Sequence, residues 1–140
     1  MIITFCGHAK LNYSEAVKKN LHKELDILIN SGADKFLLGG YGGFDIISAI
    51  TVRELKKTYP HITSTLVIPY LDCKHDFSLY DDSVYPSLEN IPKRYAIVKR
   101  NEWMINQCDI LISGVINTWG GAYTTQEYAK RKNKKIIHVI

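Results

Sequence analysis

Five short runs rich in Ile, Val and Leu recur along the chain, and segments long enough to form helices separate them. Each run is apolar almost without interruption, whereas a strand with one solvent-facing side alternates apolar and polar residues. Continuous hydrophobicity is typical of strands that are buried on both faces, as in a parallel sheet. The predicted strands are residues 2–6, 35–39, 65–69, 109–113 and 135–140.

Helix signals fill the intervals between these strands. After a cap at Ser14, apolar residues recur at helical spacing, and further helices are predicted at 44–58, 92–107 and 121–132. Strands that alternate with helices indicate a doubly wound fold, because each crossover covers a face of the sheet. We therefore predict an α/β fold in which residues 1–140 form a single Rossmann-like three-layer domain, with a parallel sheet of about five strands flanked by helices.

The predicted connection over residues 70–91 is long for adjacent strands, and connections of that length more often carry function. It contains Cys73, His75 and Asp76, which are metal-binding residue types. Their spacing does not match a zinc site, and no second pair of ligands occurs elsewhere in the sequence. We predict neither a metal nor a cofactor.

Composition favours a globular protein of the cytoplasm. Hydrophobic residues make up 46% of the chain and charged residues 23%, which argues against disorder. No apolar run approaches the about 20 residues needed to cross a bilayer, and the start "MIITFCGHAK" does not resemble a signal peptide, so no membrane partner is expected. Three cysteines without CxxC spacing favour a reducing compartment over a disulfide framework.

The formal charge of +4 is mild, and its densest part is "KRKNKK" at 130–135. Cations suit the negative end of a helix dipole, so a solvated last helical turn is the favoured interpretation. A nucleic-acid surface is the alternative, since basic clusters also mark phosphate-binding faces.

Three motifs follow three of the predicted strands. "CGHAK" ends the first strand with Gly7 and His8, "GGYGGFD" follows the second, and "NTWGGAYTTQE" follows the fourth. Right-handed crossovers bring the carboxyl ends of parallel strands to one edge, where ligands usually bind. We therefore expect the three motifs to meet there. His8 is either a general base or ligand contact, or simply a hydrogen-bonded turn residue.

The motif "GGYGGFD" at 39–45 combines four glycines with a predicted helix start. Glycine lets the backbone turn sharply or approach a ligand, and free N–H groups at a helix start bind anions. The motif is interpreted as a phosphate or ribose cradle in which Asp45 contacts a hydroxyl. A close turn between strand and helix is the alternative.

The segment "WGGAYTTQE" at 119–127 also has two interpretations. Thr124 and Glu127 match a capping box, in which the threonine caps a helix and the glutamate returns to the cap. Two glycines that a cap does not require precede them, which favours a ligand pocket. Arg100 in "VKRNEWM" offers a guanidinium fork that suits a phosphate or carboxylate, with a surface arginine as the alternative.

Taken in order, the motifs "FCGH", "GGYGGFD", "RNEWM", "CDILI" and "WGGAYTTQE" resemble the SLOG superfamily. Within it, the chain is most similar to the small YpsA-like bacterial proteins, and the resemblance covers nearly the whole chain. It implies a Rossmann-like, nucleotide-binding domain.

The superfamily includes the LOG enzymes, which cleave the N-glycosidic bond of a nucleoside 5′-monophosphate. Their pattern is an arginine followed by P-G-G-x-G-T-x-x-E. By this resemblance, Arg100 matches the arginine, Gly120 and Gly121 the glycine pair, Thr124 the threonine and Glu127 the glutamate. The resemblance thus implies that Glu127 and Arg100 are the catalytic residues of such an enzyme.

Two departures from the LOG pattern separate this chain from those enzymes. Trp119 replaces the proline and Tyr123 replaces the third glycine, where a tyrosine narrows the cradle or stacks on a base. Related binding with different chemistry is therefore expected. The predicted ligand- and phosphate-binding residues are Gly7, His8, Gly39, Gly40, Gly42, Gly43, Asp45, Asn101, Trp119, Gly120, Gly121, Thr124 and Thr125.

The sequence is compatible with three functions. The first is binding of a nucleotide or nucleotide-derived ligand, as in a sensor. The second is a nucleotide N-glycosidase in which Glu127 stabilises an oxocarbenium-like state and Arg100 holds the ligand. The third, single-stranded DNA binding as in DprA relatives, is disfavoured by the modest charge. Analogy with LOG enzymes also suggests a homodimer.

Overall fold

Parallel strands form the centre of the molecule. The structure is a computed structural model that describes residues 1–10, 12–72, 74 and 76–140. Its strands are β1 (Ile2–Gly7), β2 (Lys35–Leu38), β3 (Thr63–Val67), β4 (Asp82–Val84), β5 (Ile110–Gly114) and β6 (Lys135–His138). Within the described residues they form one sheet in the order β4-β3-β2-β1-β5-β6, and all neighbouring strands are parallel.

Helices cover both faces of this sheet. They are α1 (Glu15–Asn30), α2 (Gly43–Thr58), α3 (Lys93–Gln107) and α4 (Gly121–Arg131), with a short 3-10 turn at Phe77–Leu79. Helices α1 and α2 pack on one face in a cluster that contains Leu25, Val52 and Phe36. On the other face, Met104 of α3 and Ala129 of α4 belong to separate apolar clusters. The three layers confirm the predicted α/β fold.

The strand order places a switch point beside β1. The chain builds outward from β1 through β2 and β3 to β4, and α3 then carries it back to β5 on the opposite side of β1. In open α/β sheets, ligands bind outside the carboxyl ends of the strands at such a point. Gly7 at the end of β1 pairs in register with Gly114 at the end of β5, so the crevice opens beyond these two glycines.

The sequence predicts about five strands, and the additional one is β4 within the long connection. It pairs with β3 at the edge of the sheet, and its residues "DSV" are exposed or only partly buried. Because an edge strand is not buried on both faces, no apolar run marks it in the sequence. The connection therefore carries regular structure of its own.

The predicted helices agree with the structure to within one residue at each end for α2, α3 and α4. The Ser14 side chain caps α1 as expected, accepting a hydrogen bond from Val17 N at 3.3 Å. Among the helices of the described residues, none has the length and apolarity that spanning a membrane requires.

The ring of Phe44 is seated on the glycine pair at the ends of β1 and β5. A Cβ added to Gly7 would lie 2.2 Å from Phe44 Cγ, and one added to Gly114 would lie 2.3 Å from Phe44 Cε1. Phe44 is fully buried, and its ring packs against that of Tyr13 at 5.2 Å between centroids. Because neither glycine has a side chain, Phe44 in the first turn of α2 can pack against the ends of β1 and β5.

Replacing Gly114 with alanine tests the packing of Phe44 against this glycine. We expect Gly114→Ala to lower the free energy of unfolding by about 1–3 kcal/mol, because the new methyl group must displace a buried ring. Urea denaturation followed by circular dichroism measures the change. Gly121→Ala is the matched control, since a Cβ there meets no atom within 4 Å. Equal losses in the two variants would contradict the assigned role of Gly114.

Candidate functional site

A cavity of about 550 Å³ lies at the carboxyl ends of β1 and β5. Its wall combines the loop after β1, the loop after β2, the middle of α3, and the segment that joins β5 to α4. The three motifs expected at this edge therefore all contribute to one cavity. The predicted site residues that line it are Gly7, His8, Asp45, Arg100, Asn101, Trp119, Gly120, Gly121 and Thr125.

Other predicted residues lie close by without forming the wall. Within the described part of the chain, the lining of the cavity does not include Gly39, Gly40, Gly42, Gly43, Thr124 or Glu127. It does include Tyr41, which sequence reasoning missed although a large aromatic side chain within a glycine-rich loop is a signal. Lys10, Ile97 and Asn117 also line the cavity without having been predicted.

Arg100 lies at the floor of the cavity and is only 3% exposed, so the alternative of a surface arginine is wrong. Its Nη1 donates hydrogen bonds to the carbonyl oxygens of Gly39 and Val67, both at 2.9 Å. Its Nε donates to Asn101 Oδ1 at 2.9 Å. The guanidinium thus joins the ends of β2 and β3 to α3.

Asp45 approaches Arg100 from the first turn of α2. Its Oδ2 accepts a hydrogen bond from Tyr41 N at 3.3 Å. Burial raises the pKa of the Asp45 carboxyl to about 6, although the positive charge of Arg100 and the Tyr41 N–H both favour the ionised form. A carboxyl group that titrates near neutral pH inside a cavity is a candidate for proton transfer or for ligand contact.

The glycines that follow β2 make room for protein atoms. A Cβ on Gly39 would lie 3.1 Å from both Arg100 Cζ and Asp45 Oδ2, so this glycine leaves space for the charged pair. Gly42 has a φ of 91°, and a Cβ there would lie 2.4 Å from Ala9 Cα. Gly43 N donates to the Ala9 carbonyl at 2.9 Å. The start of α2 is therefore docked on the loop after β1.

The glycines before α4 face open space instead. Gly120 has a φ of 94° and serves as the N-cap, and a Cβ on either Gly120 or Gly121 would meet no atom within 4 Å. A positive φ of this size strains any residue with a side chain, which explains the glycine at position 120. The first turn of α4 is thus open to a ligand.

The capping box predicted for Thr124 and Glu127 is wrong. Because the glycines let α4 begin at Gly121, Thr124 lies inside the helix, and its hydroxyl donates back to the Gly120 carbonyl at 3.0 Å. Thr125 lines the cavity, and Glu127 lies two residues further on, roughly 200° around the helix. The Glu127 carboxylate is 3.0 Å from Lys130 Nζ in an ion pair.

His8 holds the loop that leads to α4. Its Nε2 accepts hydrogen bonds from Ile116 N at 2.9 Å and from Asn117 N at 3.0 Å. The backbone N–H of His8 donates to the Tyr13 hydroxyl at 2.6 Å. His8 therefore ties the β5–α4 loop to the end of β1, and its Nε2 is occupied by these contacts.

The metal-binding residue types noted in the long connection fall partly outside the described residues, since Cys73 and His75 are not among them. Asp76 accepts a hydrogen bond from Ser78 N at 3.0 Å and caps the 3-10 turn. Among the residues that the structure describes, no group of three His, Cys, Asp or Glu side chains is placed to hold a metal ion.

Fold and cavity together define a doubly wound α/β protein with a polar-floored crevice at its switch point. The family model YpsA, described as the YspA SLOG family, matches residues 8–136, and the chain belongs to this family. A UPF0398 protein of Halalkalibacterium halodurans is 34% identical over 66 residues, covering 47% of this chain and 33% of that protein. One of Brevibacillus brevis is 26% identical over 97 residues, covering 66% of this chain and 52% of that protein. The matched part of this chain therefore spans about a third of the Halalkalibacterium protein and about half of the Brevibacillus protein.

Solved structures share the fold at low identity. DNA processing protein A of Streptococcus pneumoniae has a TM-score of 0.72 at 15% identity, covering 97% of this chain and 49% of that one. The Helicobacter pylori protein of the same name, solved to explain its single-stranded DNA binding mode, has 0.69 at 16%, covering 99% and 64%. The molybdenum cofactor carrier protein of Chlamydomonas reinhardtii has 0.67 at 17%, covering 98% and 74%. These likenesses establish the fold.

The buried position of Asp45 at the cavity floor predicts an unusual titration of its carboxyl group. Because burial favours the neutral carboxyl, we expect its carboxyl carbon to titrate near 6 by NMR, well above the usual 3.8. The same shift makes Asp45 stabilise the fold most at low pH, and that contribution is lost as the pH rises through about 6. Asp45→Asn should remove this part of the pH dependence of unfolding. An ordinary carboxyl titration in the wild type would contradict the assignment.

Proposed function

We propose that the crevice binds a nucleotide or nucleotide-derived ligand, with residues 1–140 acting as one nucleotide-binding domain. The observation that carries the proposal is the Arg100–Asp45 pair at the floor of a cavity large enough for a small ligand. A carboxyl with a near-neutral pKa and a buried guanidinium are groups that occur together at functional sites. The free, buried thiols of Cys6 and Cys108 fit a cytoplasmic setting.

We assign the anionic end of the ligand to the start of α4. The first N–H groups of a helix have no partner within the helix, and the helix dipole adds to their attraction for an anion. Gly120 and Gly121 line the cavity and leave open space around this turn. The start of α2 is a poorer anion site, because Ala9 occupies the space beside Gly42.

We assign a sugar hydroxyl to the cavity floor. Asp45 donates a hydrogen bond to a hydroxyl when protonated and accepts one when ionised, and both forms exist near its pKa of about 6. Asn101 also lines the cavity and presents its side-chain amide. A phosphate at the helix start and a hydroxyl at the floor are the two polar ends of a ribose 5-phosphate unit.

A charge placed at the helix start tests the anion subsite. We expect Gly121→Asp to weaken binding of adenosine monophosphate by about tenfold or more, because the new carboxylate repels the phosphate. Gly121→Asn is the matched control, since it adds a side chain of the same size at the same position without the negative charge. Isothermal titration calorimetry measures both.

The nucleoside without its phosphate separates charge from shape in this experiment. Adenosine should bind Gly121→Asp and wild type within about twofold of each other, since only a phosphate feels the added charge. If Gly121→Asn weakens the monophosphate as much as Gly121→Asp does, the added volume and not the charge is responsible, and the anion lies elsewhere. If no nucleotide in a thermal-shift panel stabilises the wild type, the proposed function itself fails.

A nucleotide N-glycosidase is the second candidate, and the pKa of Asp45 is the observation that favours it. A group that titrates near neutral pH can deliver a proton to a departing base, and a carboxylate stabilises the oxocarbenium-like state. Glu127, to which the family resemblance gives the carboxylate role, forms an ion pair with Lys130. Under this candidate we therefore assign the proton donor to Asp45.

Release of free base from a panel of nucleoside monophosphates, followed by chromatography, tests the hydrolase. If the protein is one, Asp45→Asn should lower the rate by about a hundredfold or more while calorimetry shows retained binding. Glu127→Gln, outside the cavity wall, should keep most of the activity. A wild type that binds nucleotides and releases no base contradicts the hydrolase and leaves the binding proposal standing.

Single-stranded DNA binding is a third candidate, and the similarity in fold to the Helicobacter pylori protein favours it. Bases of a single strand stack on exposed aromatic side chains, and Trp119 and Tyr41 are both exposed beside the crevice. The mild formal charge of +4 gives little backbone attraction. We therefore rank this candidate below a small nucleotide.

A further inference from the structure

Two large aromatic side chains stand exposed at the same cavity. Trp119 is 70% exposed and Tyr41 is 65% exposed, and both line the cavity beside the Arg100–Asp45 floor. Among the described residues, neither ring pairs with another aromatic ring. Aromatic rings that remain in solvent at a cavity wall are available to stack on a planar ligand.

The topology places the loops that carry these two rings on opposite sides of β1. Tyr41 follows β2 and Trp119 follows β5, and the two strands flank β1 in the sheet. Two strand spacings amount to roughly 9.6 Å, and Tyr41 and Trp119 both line the same cavity. A ligand in the cavity therefore lies within reach of both loops.

The backbone on either side of each ring is fixed. Nε2 of His8 accepts hydrogen bonds from Ile116 N and Asn117 N, just before Trp119, and Gly120 directly after it caps α4. Tyr41 N donates to the Asp45 carboxylate. Held in this way, the backbone of the two loops loses little conformational freedom when a ligand binds, which favours affinity.

We infer that Trp119 and Tyr41 hold the base of the ligand between them, at the mouth of the cavity. This inference rests on the proposed nucleotide site and deepens it, because it names the aromatic base as the group that the rim recognises. Stacking depends on the area of the ring more than on its hydrogen-bonding edge. A purine monophosphate should therefore bind more tightly than a pyrimidine monophosphate.

Comparison of ligands with and without a base isolates the stacking. We expect Trp119→Ala to weaken adenosine monophosphate by about fivefold to a hundredfold, while ribose 5-phosphate binds as it does to the wild type. Trp119→Phe should restore most of the lost affinity. Tyr95→Ala is the control for removing an exposed ring, since Tyr95 is 50% exposed on α3 outside the cavity wall. Calorimetry with each ligand measures the effects.

Tryptophan fluorescence gives an independent reading. Trp103 and Trp119 are the two tryptophans of the chain, and Trp103 lines a separate groove with Leu37 and Val84. In a Trp103→Phe variant the emission comes from Trp119 alone. Adenosine monophosphate should change this emission and ribose 5-phosphate should not, because only the former brings a ring against the indole.

Two outcomes would overturn the inference while leaving the proposed function intact. If Trp119→Ala weakens adenosine monophosphate and ribose 5-phosphate equally, the tryptophan shapes the loop and does not hold a base. If the emission of Trp119 ignores a nucleotide that calorimetry shows to be bound, the base lies elsewhere. If oligothymidine binds through Trp119 and no mononucleotide does, the rim serves a nucleic acid strand, and the mononucleotide proposal fails with the inference.

Discussion

The buried guanidinium of Arg100 is the interaction on which the crevice depends. A charged group removed from water costs several kcal/mol unless hydrogen-bond acceptors and an opposite charge surround it. Arg100 finds carbonyl oxygens at Gly39 and Val67 and the carboxyl of Asp45 nearby. These partners come from the ends of β2 and β3 and from the start of α2. From its place on α3, this one side chain therefore connects β2, β3 and the start of α2.

The same arrangement sets the chemistry of Asp45. A charge partner alone would hold its pKa below the usual range, whereas burial alone would raise it further than the pKa of about 6 that results. Because the two effects oppose each other, the carboxyl takes both protonation states near neutral pH. Gly39 keeps the two groups close, since any side chain there would press on both. The protonation of Asp45 therefore depends both on Arg100 and on the space that Gly39 leaves for the pair.

How far the fold and site follow from the sequence can be seen at particular residues. The buried strands are continuous apolar runs and were predictable, but β4 is polar because it lies at an edge. The role of each glycine is harder to predict from the sequence, because the atoms that a Cβ would contact come from distant parts of the chain. Phe44 fills the space beside Gly7, Ala9 fills that beside Gly42, and only the structure distinguishes both from the open Gly120.

The relation between binding and turnover follows from the same geometry. The proposed stacking rim, anion site and polar floor would together be sufficient to bind a nucleotide, and the residues proposed for each line the cavity. Cleavage of the glycosidic bond requires in addition a carboxylate beside that bond, and the family pattern places this role on Glu127. Helical geometry turns Glu127 away from the face on which Thr125 lines the cavity, and the Glu127 carboxylate pairs with Lys130. Without Glu127 at the cavity, turnover would have to draw both the proton and the stabilising negative charge from Asp45, whereas binding requires neither. Ligand binding is therefore the function that requires the fewest groups beyond those that line the cavity.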